Sequence, residues 1–436
     1  MQTQLTILLK RLVDVEPEEL RALLWSFSYF FALLCSYYIV RPMRDEMGVA
    51  GGVENLQWLF TGTFVVMLAA VPLFGWVTSR FERCRFLPYV YLFFIANLLI
   101  FFLLFRSSIT HVYVARAFFI WASVFNLFVV SVFWSFMADI FNNQQARRLF
   151  GFIAAGGTTG AIAGPMLTAF LALPLGHTNL LLISALCLGW ALLCIHRLIA
   201  WDDRLTAHAG IDATGTIADT ALGGGLFAGV NLVVRSPYLL GICLLMLLFT
   251  TLATFLYFQQ AQIVRDSFAD PAARTTVFAA IDLAVNSLTI LIQVLLTGRL
   301  VKWLGLPVVL ALIPLLLGAG FLAIGFAPVL AVLVVVQVIR RAGNYAIMRP
   351  AREMLYVVLG REEKYKAKNF IDTVVYRGGD ALSAWAYEGL RALGLGLSAI
   401  AFLAVPLSVI WAGVAYRLGK QQAALGAALD TQEKST

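Results

Sequence analysis

The stretch SYYIVRPMRDEMG, residues 36–48, closes an apolar run with Arg41, Arg44, Asp45 and Glu46 packed into six positions. A guanidinium group is a planar fork of N–H donors that matches phosphate or carboxylate and keeps its charge at any physiological pH. Similar charges recur inside other apolar runs. Arg116 lies in HVYVARAFFIWASVFNLF, Arg265-Asp266 ends LATFLYFQQAQIVRD, and Asp282 lies in VFAAIDLAVNSLTILIQ. Arg340 and Arg341 lie in VLVVVQVIRRAGNYAIM, ahead of Tyr345, while Asp372, Arg377 and Asp380 lie in NFIDTVVYRGGDALSAWAYEGL. The chemistry these types suit is holding an anion and opening or closing ion pairs around it. Bond making is not indicated: the apolar runs contain no nucleophile–base pairing and no metal-ligand set. His111, His177, His196 and His208 lie in loops or near the ends of runs. No catalytic residue, no metal and no cofactor is expected, and the chain is not read as an enzyme.

The surroundings of these charges follow from composition. Of the 436 residues, 61% are hydrophobic and 13% are charged, with a mean hydropathy of +0.85. Soluble domains are about half apolar and about a quarter charged, so this is an integral membrane protein. The net charge of +8 needs no nucleic acid, because Lys and Arg collect in cytoplasmic loops of membrane proteins. The five cysteines, Cys35, Cys84, Cys187, Cys194 and Cys243, show no paired spacing and read as small packing residues.

A bilayer core about 30 Å thick takes roughly 20 residues of helix. Runs of that kind fall near residues 22–40, 55–79, 86–105, 112–138, 150–173 and 178–200, and again near 237–258, 277–298, 306–326, 328–349, 369–390 and 394–417. The fold class predicted is an all-α membrane protein with twelve transmembrane helices in two pseudo-symmetric six-helix bundles. The expected organisation is an N-terminal interfacial segment (1–21), a first bundle (22–200), a connector (201–236), a second bundle (237–417) and a frayed C-terminal tail (418–436). The connector, with WDDRLTAHAGIDATGTIADTALGGG, has flexible-loop composition. With both termini in the cytoplasm, inner loops carry twelve Lys and Arg and outer loops six, which sets that orientation.

The halves repeat at nearly constant spacing. Arg44-Asp45 is matched by Arg265-Asp266, Gly156-Gly157 by Gly378-Gly379, Gly75 by Gly298, and Arg116 by Arg340, all at close to one offset. Six-plus-six repeats around a shared site describe the major facilitator architecture, and GWVTSRFERCR resembles that superfamily's loop between spans two and three. Gly156, Gly160 and Gly164 recur every four residues and predict close helix packing rather than a nucleotide loop, since no Lys-Ser/Thr follows.

An ionisable group at mid-membrane costs at least about 2.5–3.5 kcal/mol, so pairing or function must offset it. Arg116, a few residues into its run, either snorkels to the interface or lines a cavity. Arg340 and Arg341 point about 100° apart on a helix, and cavity lining is favoured there. Arg377 and Asp380, three apart, suit an internal ion pair, structural or substrate-linked. Asp282 shares a face with Asn286 and Gln293 and should look inward. Arg44-Asp45 and Arg265-Asp266 either flank an electropositive cavity, with Arg41 and Glu46 beside them, or form gating salt bridges.

YYIVRPMRDEMG, VSVFWSFMADIFNNQQARRLFGFIAAGGTTGAIAG and REMLYVVLGREEKYKAKNFIDTVVYRGGDAL together resemble the ATP/ADP translocases of plastids and obligate intracellular bacteria, in the same order along most of the chain. The likeness is greatest to the bacterial branch. It implies a major-facilitator-like fold and exchange of nucleotides or similar phosphorylated anions, with Arg44 at a functionally important lysine position. Two places differ from that pattern. Neutral Ser123 or Asn126 stands where an acid is expected before the Phe-Trp of span four, and Asp380 where a lysine is expected.

The sequence thus predicts a secondary transporter of a small anionic metabolite, working by alternating access as exchanger or proton symporter. The alternative is a major-facilitator-type exporter of lipids or amphipathic compounds. Substrate-binding candidates are Arg41, Arg44, Arg116, Arg340, Arg341, Arg377 and Tyr345. Coupling and gating candidates are Asp45, Glu46, Arg265, Asp266, Asp282, Asp372 and Asp380. The expected partners are the small anion and the lipid bilayer, with no nucleic acid, and the protein is expected as a monomer in a bacterial inner membrane.

Overall fold

The structure, a computed structural model, describes residues 15–16, 19–80, 83–107, 111–209 and 230–433. Most of the expected interfacial segment, and positions 210–229 of the expected connector, lie outside them. The described residues are helical almost throughout. The first half forms α1 (Leu20–Ala50), α2 (Leu56–Arg80), α3 (Arg83–Arg106), α4 (His111–Ile140), α5 (Asn143–Leu175) and α6 (Leu180–Ala209). The second half opens with a six-residue helix, Val230–Arg235, and continues as α7 (Pro237–Ser267), α8 (Pro271–Leu295) and α9 (Thr297–Phe326). There follow α10 (Leu330–Gly343, Asn344–Met348 and Arg349–Leu355), α11 (Arg361–Phe370, Ile371–Val375 and Tyr376–Ala392) and α12 (Leu397–Glu433). The middle stretches of α10 and α11 are π-helical turns.

Eleven of the described helices are long and apolar enough to cross a bilayer. Against the twelve spans predicted, the difference is α11, which carries Asp372, Arg377, Asp380 and Glu388 and is interrupted by its π-turn. Several helices outrun their predicted spans. α1 continues past Pro42 to Ala50, so RPMRDEMG is helix rather than a loop. α6 reaches Ala209 and α12 reaches Glu433, so residues 418–433 of the expected frayed tail are helical. The physical reason is composition: QQAALGAALDTQE is rich in Ala, Gln and Leu, strong helix formers.

The chain divides into two compact units. The first holds the residues through Gly51, those from Ala69 to the connector, and Asp270–Leu283; the second holds Gly52–Leu68, the residues from the connector to Ala269, and everything from Ala284 on. Each unit therefore takes the opening segment of one helix, α8 or α2, from the other half of the sequence.

In the first unit α1 is the central helix. Its contact with α5 is set by the glycine face: a Cβ on Gly164 would lie 2.7 Å from the Cys35 carbonyl, and Gly156 and Gly160 face the backbone at Phe27 and Phe31. Such small residues let two backbones meet without a hydrophobic driving force. On its other sides α1 packs aromatic on aromatic, with Phe30 stacked on Phe133 at 4.1 Å. Two pairs of buried hydroxyls meet, Tyr29 with Tyr91 at 2.5 Å and Ser36 with Ser184 at 2.7 Å, the kind of pairing a water-free interior favours.

In the second unit α7 packs on α11 and α12, and α9 on α12. α9 breaks at Gly305, whose φ of 73° is open to glycine and costly for other residues. Beyond the break, Pro307 meets Gly419 of α12 so closely that no side chain would fit there.

Candidate functional site

Within the first unit the charges of α1 face the opening turns of α8. Asp270 caps those turns, accepting from the backbone N–H groups of Ala272 and Ala273 at 3.2 and 3.1 Å. Arg274 then donates twice to Glu46, from Nε to Oε2 at 2.7 Å and from Nη2 to Oε1 at 2.8 Å. Glu46 is fully buried. A bidentate, charge-assisted pair of this kind is directional as well as strong. Two turns further along α8, Asp282, 1% exposed, lies 3.6 Å from Arg41 Nε. The guanidinium of Arg41 also stands over the Tyr38 ring at 5.6 Å.

Arg44 turns toward α4. Its guanidinium lies 4.1 Å from the centroid of Phe119, and its Nη1 is 3.4 Å from Asp45. Arg116, also on α4, donates through Nε to the Gly51 carbonyl that ends α1, at 3.1 Å, and stands over Tyr113. The first unit thus gathers Arg41, Arg44, Asp45, Glu46, Arg116 and Asp282 around the last three turns of α1.

In the second unit Arg265, at the end of α7, reaches Glu54 just ahead of α2 at 2.5 Å and Asp266 at 3.2 Å. Nearby, Trp385 Nε1 donates to the Thr61 hydroxyl at 3.0 Å, and its ring meets Trp58 edge-on at 4.8 Å. Deeper in the unit, Arg340 Nε donates to Gln337 Oε1 at 2.9 Å, and Gln337 in turn donates to Gln260 of α7. Arg341 is buried. Tyr345 lies in the π-turn of α10, whose carbonyls receive donors from neighbouring helices: Thr297 to Ala346 at 2.8 Å and Gln293 to Tyr345 at 3.5 Å.

On α11, Arg377 and Asp380 stand 3.6 Å apart, three residues from each other. Asp372 pairs instead with Arg352 of α10 at 3.4 Å, beside a second bridge from Lys368 to Glu353 at 2.5 Å. Asp282 and Asn286 are buried as their shared stripe predicted, whereas Gln293 is exposed. Among the described residues no group of His, Cys, Asp or Glu is placed to hold a metal ion.

Sequence reasoning missed Arg274, Glu54, Gln260, Gln337 and Arg352. The first two carried a usable signal: Glu54 and Arg274 hold matching places in the two halves, one more pair on the internal repeat. The glutamines carried none, since an amide in an apolar run does not announce its partner.

These charges lie on or beside the eleven described helices long enough to cross a membrane and on α11, and residues 22–358 match the Major Facilitator Superfamily. The chain belongs to the Major Facilitator Superfamily. Within this superfamily it is similar to ADP,ATP carrier protein 1 of Chlamydia muridarum, at 22% identity over 96% of this chain and 92% of the carrier. ADP,ATP carrier protein 2 of Chlamydia pneumoniae is 21% identical over 88% of this chain and 86% of that one. Those likenesses agree with the ATP/ADP translocase resemblance of the motifs. The fold is shared with a peptide transporter POT crystallised with sulfate (TM-score 0.61, 14% identity, 92% and 95% of the two chains) and with the nucleoside transporter NupG (TM-score 0.60, 12% identity, 94% and 99%). The similar proteins are transporters, and this facilitator is a multi-pass membrane transporter.

Proposed function

We propose that this transporter moves a small anionic metabolite, a nucleotide or another phosphorylated or carboxylated compound, by alternating access, as exchanger or proton symporter. The observation that carries the reading is the pair Arg340 and Arg341 in the apolar length of α10, the second of them 6% exposed. Arginine at such a position is costly in a bilayer, and a ligand with complementary charge is what makes it worth keeping. The names of the Chlamydia carriers support the same class. Arg41, Arg44, Arg116, Arg377 and Tyr345 complete the proposed binding set. Asp380 stands 3.6 Å from Arg377, so α11 offers a balanced pair where the translocase pattern has an added positive charge. This favours an anion carrying less charge than a nucleoside triphosphate.

Glu46, Asp45, Asp282, Arg265, Asp266 and Asp372 serve gating and coupling in this reading. Glu46–Arg274 and Arg41–Asp282 tie α1 to α8, and Arg265–Glu54 ties α7 to the start of α2. Each link joins the two halves of the sequence, so a cycle that alternates access must break and remake them. With both termini in the cytoplasm of a bacterial inner membrane, these links lie at the outer mouth.

The test is uptake by proteoliposomes of labelled ATP, glucose 6-phosphate and succinate, with and without internal counter-anion and with and without a proton gradient. Uptake of at least one, abolished by Arg340→Gln, is the expected result. No uptake of any under all four conditions sinks the reading, and transport of an amphipathic dye that survives Arg340→Gln favours the exporter of apolar compounds.

A further inference from the structure

Arg340 and Arg116 are partners in the internal repeat, and both are held in the same manner. Each gives its Nε proton to an uncharged oxygen, Arg340 to the Gln337 side-chain amide at 2.9 Å and Arg116 to the Gly51 backbone carbonyl at 3.1 Å. At Arg340 the acceptor is itself held. Gln337 and Gln260 are each 2% exposed and are hydrogen-bonded to one another across α10 and α7.

The direction of this chain of amides is dictated by its charged end. Arginine has donors and no acceptor and does not lose its proton in proteins. Gln337 must therefore turn Oε1 to Arg340, which leaves its NH₂ for Gln260, which must in turn present Oε1. One cation orders two amides. A buried polar chain of this kind survives in a low-dielectric interior only when each member is satisfied. The helix just beyond Arg340 is also pinned: it widens into the π-turn Asn344–Met348, and Thr297 and Gln293 bind that turn's carbonyls. π-turns concentrate at functional sites.

An amide and a carboxylate would hold the Nε equally well in geometry but differ in charge. A glutamate at 337 would form an i,i+3 ion pair and offset the positive charge; glutamine fixes the guanidinium plane and contributes only a dipole. We propose that Gln260 and Gln337 are positioning residues, a two-amide chain that orients Arg340 for an anionic substrate and adds no negative charge of its own. The inference rests on the reading of Arg340 as a substrate-binding residue.

The experiment uses the purified full chain with Gln337→Glu, Gln337→Met, Gln260→Met and Arg340→Gln. Thermal stability without ligand is compared with the shift produced by ATP, glucose 6-phosphate or succinate, and KM and the maximal rate of uptake are separated for the anion that responds. Gln337→Glu should keep or raise ligand-free stability, because Gln260 can rotate its amide to donate to the new carboxylate. It should nevertheless raise KM about tenfold or more, the scale of a hydrogen bond to a charged group. Gln337→Met and Gln260→Met should raise KM about threefold to tenfold by freeing the guanidinium. A purely structural role moves stability and leaves KM alone.

Wild-type KM in Gln337→Glu, with loss in Arg340→Gln, overturns the amide chain and leaves the anion reading standing. Should Gln337→Glu fail to fold, wild-type KM in Gln260→Met overturns it equally. Wild-type KM in Arg340→Gln, or no response of the wild type to any of the three anions, overturns the anion reading and the amide chain together.

Discussion

The ion pairs Glu46–Arg274 in the first unit and Arg265–Glu54 in the second tie corresponding helix ends of the internal repeat, with opposite polarity. In the first unit the acid ends α1 and the base opens α8; in the second the base ends α7 and the acid precedes α2. They also differ in surroundings. The side chains of Arg274 and Glu46 are 11% and 0% exposed and meet through two short bonds, whereas those of Arg265 and Glu54 are 35% and 51% exposed and meet through one. The lesson concerns dielectric. An ion pair shielded from water is costly to leave half-made, while one in water competes with solvent and salt for both partners. Sequence symmetry therefore conceals an energetic asymmetry, with a firm tie on one side of the repeat and a loose tie on the other.

The sharpest way to break this comparison is to remove one partner of the buried pair. Arg274→Gln strands a buried carboxylate and should cost about 3–5 kcal/mol, read as a large fall in the thermal midpoint of purified protein. Adding Glu46→Gln should recover most of that loss, because two neutral groups of similar shape leave no charge behind. A single variant as stable as wild type would remove the contrast.

Arg41→Gln comes next. It leaves Asp282 buried with a weaker partner, and the original contact, at 3.6 Å, is looser than the one above it. The expected cost is about 2 kcal/mol, measured by the same unfolding experiment. The exposed pair should give less. A double-mutant cycle of Arg265→Gln with Glu54→Gln should yield a coupling under about 1 kcal/mol that fades on adding salt. A large, salt-resistant coupling would place the two ties on an equal footing.

The smallest effect belongs to Thr61, which holds the place in the first half that Asp282 holds in the second and accepts one hydrogen bond, from Trp385. Thr61→Val should cost about 0.5–1.5 kcal/mol and leave anion uptake intact. Loss of uptake there would mean that the aromatic side of the repeat carries as much of the mechanism as the charged side.

Much of this could be read along the chain. Eleven spans were visible as apolar length; the further one expected, α11, is helical but carries too many charges to count with them. The glycines at 156, 160 and 164 announced a close approach, and α1 is what approaches them. The internal repeat named Arg44, Arg116, Arg265 and Arg340. What stayed hidden was pairing. Nothing local joins Glu46 to Arg274 in the other half of the chain, or sends Asp372 to Arg352 rather than toward Arg377. Helix ends were hidden for a related reason: α1 and α7 run on through their charged ends, where ion pairs from distant helices satisfy the side chains.

Composition and periodicity settled by themselves that this is a helical membrane protein built twice over, because a bilayer leaves the backbone few ways to satisfy its own hydrogen bonds. They also placed arginines inside apolar runs, where a charge is costly without a partner. Only tertiary structure decided which oxygen each guanidinium meets and whether water reaches the pair. Those partners lie on helices far apart along the chain, brought to hydrogen-bonding distance by packing that no local pattern encodes.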